Sequence, residues 1–496
     1  MDTTPTTLNA HRARAWLTEA LRALAAVRTR VDTLNVFPVP DSDTGTNVVL
    51  TVTAGARQAQ LIGDDADLPA LTAAVAHGAL WGARGNSGII ISQAFQALAR
   101  TFEGVTEASA TDLIRALDAV AIAVRDAVAK PVEGTIITVA REVAEAVVKL
   151  PMTATLADVA KCAQAAGIAS LATTGERLGA EIGTPVSIDA GAASYVVLLD
   201  AFAQALGVTD RAPIPWELSD SHPSGDGSCL PDEGEFEVMY VTVTDRRGAA
   251  HLRSRLSDIG HSVAVVAGQE DHWHVHVHTD HPQLALPATA AHQVLVRHLQ
   301  APIDPHGIVA TTNAVGLLEE LARCGAVTAL APSRSALVRA IIDCGSTDVT
   351  VLPASNALAD LAREVANDPQ LRAEGIDVHV APTHNDPQVY AVCTEWGISR
   401  LVDSDEDPAS IAQACVADTE VRGLRFNLAD RGASISSCLQ TLPLTADDVV
   451  TVFVGDSVHA TNMLRSVLPV LQAQNIEVQS LAAGQRSPDL WIMRHG

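Results

Sequence analysis

Asp41 and Asp43 stand two apart in the stretch from Asn35 to Leu50, NVFPVPDSDTGTNVVL. Two ionised carboxylates about 4 Å apart repel by roughly 4 kcal/mol at an effective dielectric near 20, so a chain that holds them together usually supplies a cation. Hard oxygen ligands suit Mg²⁺ or Ca²⁺. Thr44, Gly45, Thr46 and Asn47 follow, and they offer a turn and an N-cap to the apolar run behind them. The N–H groups at a helix N-terminus form an anion site. A cation site beside an anion site fits a metal-bound polyphosphate. The same residues also make an ordinary Asx-rich turn before a helix, and the stretch alone leaves both open. An EF-hand is excluded, because the glycine and the closing glutamate fall in the wrong places. Pro38 and Pro40 fix φ and push Phe37 and Val39 toward extended backbone, so the approach to the carboxylates is a stiff, non-helical strap.

Three further stretches hold residues of chemical interest. Gly82-Ala83-Arg84-Gly85-Asn86-Ser87-Gly88 lies inside a helical pattern. A glycine-rich turn that opens a helix can bring backbone N–H groups to phosphate, and glycines at that place equally serve close helix packing. In Lys130-Pro131-Val132-Glu133-Gly134-Thr135, Pro131 breaks one helix and Thr135 can cap the next. His272, His274, His276 and His278 alternate along one segment and share one face of a strand. Adjacent imidazoles on one face can grip a Zn²⁺, or can simply line a solvated strand.

The first stretch resembles the signature NVFPVPDGDTGTN of the DhaL-type kinase domain, in the version found in the ATP-binding component of bacterial fatty acid kinase. Ser42 replaces the usual glycine. The second stretch is similar to that family's GARGNSGxIxSQ and is intact through Gln93, the third to PVEGTIxTV, and Ile188-Asp189-Ala190-Gly191 to its V-D-A-G turn. The resemblance implies that Asp41 and Asp43, helped by Asn35, hold Mg²⁺ on the phosphates of ATP. It implies that Thr44, Gly45, Thr46, Asn47, Asn86, Ser87, Gly88, Gly134, Thr135, Asp189 and Gly191 line the nucleotide pocket. Arg84 and Arg141 are candidates for charge stabilisation during transfer. After the fourth turn the family continues with glycines, where this chain has Ala192-Ala193-Ser194. The family's middle domain carries zinc on H-V-H-T and a distant cysteine. His276 and His278 match the histidines, Met239 stands at the cysteine position, and Cys229 and His274 are substitutes.

The elements that must position these residues divide the chain. At 496 residues, two to four domains are expected. Helical patterns cover 9–33, 46–60, 68–100, 110–129, 155–178 and 192–206, with no strand pattern before about 235. The resemblance implies that residues 1–208 form an all-α, eight-helix antiparallel barrel of DhaL type with the nucleotide at one mouth. Residues 209–234 read as a proline-rich linker. Residues 235–310 read as a small α/β domain with strands near 236–244, 262–267 and 272–279 and helices near 249–259 and 288–299. Residues 311–496 read as a C-terminal α/β domain with a partly parallel sheet, strands near 326–330, 348–352, 376–381 and 447–454, and helices near 333–343, 357–367 and 457–473. In the family this last region engages the acyl-binding partner. Here its Ala331-Pro332-Ser333 and Leu352-Pro353-Ala354-Ser355 depart from the family pattern.

The net charge of −25 makes the chain a poor partner for nucleic acid or an anionic membrane. It holds no apolar run of 18 residues, so no membrane span is expected, and its first residues lack a signal peptide's apolar core. Seven scattered cysteines without a C-x-x-C pair read as reduced thiols in the cytoplasm. The resemblance thus implies an ATP- and Mg²⁺-dependent kinase subunit that phosphorylates a fatty acid carboxylate presented by a small acyl-binding protein, and that tends to form a homodimer. The alternatives are a dihydroxyacetone (glycerone)-type kinase, which needs a separate substrate domain with a ketone-binding histidine, and a non-catalytic nucleotide-binding regulator.

Overall fold

The computed structural model describes residues 6–34, 43–182, 188–216, 234–268, 271–301, 305–401, 406–425, 439, 441–442, 444–445 and 448–494. Two compact units emerge, one of residues 1–233 with 243–278, the other of residues 234–242 with 279–496.

The first unit opens with helices α1 (Ala10–Leu34), α2 (Thr44–Leu61), α3 (Leu68–Trp81), α4 (Gly85–Thr101), α5 (Ala110–Ala127), α6 (Ile136–Val147), α7 (Leu156–Leu171), α8 (Thr174–Ile182) and α9 (Ala190–Ala205). Each consecutive pair from α1 to α7 packs together, and α9 packs on both α7 and α1. Local chemistry sets most of the starts. Ser109 and Thr155 form reciprocal capping boxes with Asp112 and Asp158, and Asp67 caps α3 with a proline in its first turn. The pattern expected to run from 68 to 100 breaks at Gly82–Arg84, where the Gly82 N–H closes α3 on Gly78 and α4 begins anew. The pattern over 155–178 likewise divides into α7 and α8.

The same unit carries α10 (Arg246–Ile259) and an antiparallel hairpin of β2 (His261–Ala267) and β3 (His272–Thr279). The chain just after α5 adds itself to the edge of β2: Val128 bridges Ala264, and the Ala129 N–H donates to the Val263 carbonyl at 3.0 Å. That pairing covers an edge that would otherwise invite aggregation.

In the second unit β1 (Phe236–Val243), β4 (Ala291–His298), β5 (His306–Thr312), β6 (Val327–Leu330), β7 (Asp348–Leu352) and β8 (Asp377–Val380) follow the order β1-β4-β6-β5-β7-β8. Pairs among β5, β6, β7 and β8 are parallel, whereas β4 runs antiparallel to both neighbours. Residues 288–299 therefore correct an expectation: they hold a strand, not a helix. Val294, Leu295 and Val296 are buried between β1 and β6, and a strand covered on both faces loses the alternation that would betray it. A second sheet, β9 (Glu420–Leu424), β10 (Val449–Val454), β11 (Glu477–Leu481) and β12 (Leu490–Arg494), has the order β11-β10-β12-β9. Val450, Val452 and Ile492 pack on the helix Val458–Gln472, while Phe453 and Met493 enter a core shared with Val392 and Trp396 of the helix Asp386–Leu401. No described helix is long and apolar enough to cross a membrane.

Candidate functional site

Asn35 and Asp41 lie outside the described residues, as does the strap between them. Asp43 is described, and it is buried immediately before α2. Its side chain does not cap the helix it precedes. Asn47 instead donates Nδ2 to Asp43 Oδ1 at 2.7 Å, one turn on. The N-terminal groups of α2 are served from α1: Asp32 accepts the Thr46 N–H at 2.8 Å and the Thr46 hydroxyl at 2.9 Å. Burial raises the Asp32 carboxyl above its ordinary range. Thr46 pulls it back, and the nearby Asp43 charge pushes it up again. Two acids thus converge on the start of α2, one donated by a neighbouring helix. Sequence reasoning missed Asp32, because nothing local marks an acid near the end of one helix as the cap of the next.

The glycine-rich turn meets this point directly. Thr44 Oγ1 lies 3.3 Å from Ser87 Oγ, and the Arg84 N–H donates to Thr51 Oγ1 at 3.2 Å. A Cβ on Gly88 would sit 2.4 Å from Thr51 Oγ1, and one on Gly45 would sit 2.4 Å from the Arg28 carbonyl. Both glycines are therefore required for close helix approach, the alternative that the sequence left open. They also bring two helix starts together, and α4, like α2, begins without a side-chain cap of its own. At α4 such an end presents backbone N–H groups to an anion, while at α2 the Thr46 N–H already goes to Asp32. Arg84 is buried, with its guanidinium donating to the Gly82 carbonyl at 3.2 Å.

The third and fourth stretches form a second junction. Gly134 adopts φ +81°, and its N–H donates to Thr138 Oγ1 at 2.9 Å. Thr135 caps α6. Asp189 caps α9 through the Ala192 N–H at 2.7 Å and also accepts the Ile136 N–H at 3.2 Å, so one carboxylate ties the starts of α6 and α9. Burial pushes this carboxyl up to about 6 against those bonds. A Cβ on Gly191 would have 3.3 Å to Asp189 Oδ1. The two junctions are linked by α9, which packs on both α2 and α6. Arg141 is engaged by Glu133, Glu142 and Glu145.

On β3, His274, His276 and His278 are buried, so this strand face is not the solvated one that was the alternative. The rings of His276 and His278 are 4.8 Å apart, and His276 Nδ1 lies 2.9 Å from the Ser262 carbonyl. His274 meets Trp81 edge-on at 5.0 Å. In the second unit Met239 is buried, and its sulfur accepts from Arg339 Nη2 at 3.0 Å. Cys229 lies outside the described residues.

A helical domain with glycine-tight junctions between motif-bearing helix starts, followed by an α/β region, defines the class of protein. Residues 38–204 match the family described as the DAK2 domain, and residues 233–297 match the one described as the FakA-like middle domain of fatty acid kinase. The chain is 30% identical to Protein YloV of Bacillus subtilis over 386 residues, 68% of each chain. It is 32% identical over 271 residues to an uncharacterized protein of Staphylococcus epidermidis and 33% identical over 271 residues to one of Staphylococcus haemolyticus; each match spans 51% of this chain and 47% of the relative. The chain belongs to the DAK-domain, FakA-like fatty acid kinase family, a kinase-type family.

Proposed function

We propose that this protein is the ATP-binding component of a fatty acid kinase-type system, and that it phosphorylates a fatty acid carboxylate presented by a separate acyl-binding protein. The observation that carries the reading is the apposition of the α2 and α4 starts, 3.3 Å apart at Thr44 and Ser87, beside the buried Asp43. Backbone N–H groups there, with the Thr44 and Ser87 hydroxyls, suit the phosphate oxygens of ATP. Asp43 with Asp41 and Asn35 would hold Mg²⁺. An all-oxygen donor set with two carboxylates fits that ion, which when bound neutralises phosphate charge. Thr135, Gly134, Asp189 and Gly191 would border the nucleoside. The acceptor carboxylate is ionised at neutral pH, so the chain has no proton to remove. Its oxygen forms the new bond to the γ-phosphorus as the bond to the ADP oxygen breaks, and ADP leaves with the electron pair. Arg84 is the candidate for charge stabilisation.

The ring of packing that runs α1 through α7 to α9 and back supports an eight-helix antiparallel barrel for residues 1–208, followed by the linker, a small α/β domain over 235–310 and a C-terminal α/β domain. The buried His276 and His278 support a zinc site in the middle region. A cytoplasmic homodimer, working with its acyl-binding partner, completes the proposal.

Calorimetric titration of ATP with Mg²⁺ into wild type and Asp41→Ala tests it. Binding that disappears in the variant supports the reading. Equal binding in both, or none in either, overturns it and favours the regulator.

A further inference from the structure

The first unit holds an open cavity of about 480 Å³ between α4, α5, α10 and the β2–β3 hairpin. Apart from Gln93, which ends the glycine-rich motif on α4, its lining residues lie outside the four motifs, and its volume suits a small organic molecule. Most of its wall is small and apolar, closed by the Trp273 ring and by Ile122, which is 57% exposed at the rim. The Trp273 indole N–H is already used, donating to the Thr244 carbonyl at 2.7 Å, so its ring serves as a surface for contact.

Against this wall stands an unusual polar set. Gln93 is only 7% exposed, and no described group accepts a hydrogen bond from its Nε2. A buried amide without a partner costs about 1–3 kcal/mol, and a native structure retains one for a reason. Arg253 is half-buried and donates one Nη2 bond, to the Val265 carbonyl at 2.6 Å. Arg100 and Asp126 complete the charged lining. Two guanidinium groups against one carboxylate leave the cavity with a single positive charge.

We propose that this cavity binds a small apolar monocarboxylate. Its carboxylate pairs with Arg253 and Arg100, one acceptor oxygen meets the Gln93 amide, and its hydrocarbon body lies against Trp273 and Ile122. Charge complementarity selects one negative charge, and the lining selects an apolar body. The proposal does not rest on the kinase reading: Gln93 ends the glycine-rich motif but lies about two turns into α4, past the Thr44–Ser87 contact, and Arg100, Ile122, Arg253 and Trp273 lie outside the four motifs.

Calorimetry with decanoate and 1-naphthylacetate on the full chain tests it, with decanol and 2-(1-naphthyl)ethanol as neutral counterparts. Saturable binding of one carboxylate per chain is expected, with the matching alcohol at least about tenfold weaker. Arg253→Gln should weaken the carboxylate by at least about tenfold. That arginine also braces β2, so Ile122→Glu serves as a second variant. The rim position is exposed, so circular dichroism should show the fold retained, and the added negative charge should repel the ligand by a similar factor. Asp43→Ala should bind the carboxylate as wild type does. No saturable binding, equal affinity for the alcohol, or an unchanged affinity in Ile122→Glu would overturn the proposal.

Discussion

Helix starts in the first unit are of two kinds. α5 and α7 begin with reciprocal capping boxes, Ser109 with Asp112 and Thr155 with Asp158, that satisfy their own N–H groups from within four residues. α2 and α4 begin with no side-chain cap of their own, and they meet each other through Thr44 and Ser87. A capping box stabilises the helix that carries it by about 1 kcal/mol and leaves nothing for a ligand. The α4 start forgoes that stability and keeps first-turn N–H groups available for an anion, whereas at α2 the Thr46 N–H is already held by Asp32 of α1. The difference teaches where stability and binding are separated in this domain. α6 and α9 fall between, since Asp189 caps one and reaches across to the other.

Substitutions can break this comparison. The largest effect is expected from Asp43→Ala, which should weaken magnesium-dependent ATP binding by at least about a hundredfold, well beyond the loss of about 1–3 kcal/mol of stability expected when the buried Asn47 amide loses its acceptor. Retained binding in calorimetry would show that the uncapped start is not the binding end. Gly134→Ala comes next. Its backbone holds φ +81°, and a Cβ would sit 2.7 Å from the Leu178 N–H nitrogen. A loss of about 2–3 kcal/mol in urea unfolding is expected. Stability within 0.5 kcal/mol of wild type, on the scale of about ±0.5 kcal/mol for neutral surface changes, would refute the strain argument.

Asp32→Ala and Ser109→Ala sharpen the contrast. Each should cost about 1–2 kcal/mol of stability. Only Asp32→Ala should also weaken ATP binding, because Asp32 serves the α2 start from another helix whereas Ser109 serves α5 alone. Equal effects of the two on ATP affinity would erase the distinction.

The smallest effect is a pH dependence. The Asp189 carboxyl lies at about 6 in the fold, above its ordinary value. The unfolded chain therefore gives up this proton first as pH rises. The stability linked to the protonated group is complete below about pH 4 and is lost as pH climbs through 6. Asp189→Asn keeps an acceptor oxygen for the cap and removes the titration. Its stability relative to wild type should rise between pH 4 and 7 in parallel denaturant series. A constant difference across that range would return Asp189 to ordinary behaviour.

Much of the helical domain was legible because its signals are local. Apolar periodicity gave the helices, and Ser109, Thr155 and Thr135 mark their starts with side chains a few residues away. The glycine-rich turn was legible as a special position but not as a particular one, since packing and phosphate binding ask for the same residue. The structure shows that Gly88 and Gly45 serve packing, and that the packing itself assembles the candidate site. The strand at 291–298 was misread, because its buried Val-Leu-Val core is covered on both sides and shows no alternation.

The sequence by itself determined which residues could hold a cation and a phosphate, and where helices would give way to an α/β region. Those properties depend on residue type and on neighbours within about one helical turn. Only the tertiary structure decided that Asp32 serves α2, that Ser87 faces Thr44, that Asp189 joins two helices, and that Gln93 points into a cavity walled by Arg253 and Trp273. Each of these joins residues far apart in the chain, and contacts of that kind are fixed by how packed helices and strands meet, not by any local pattern.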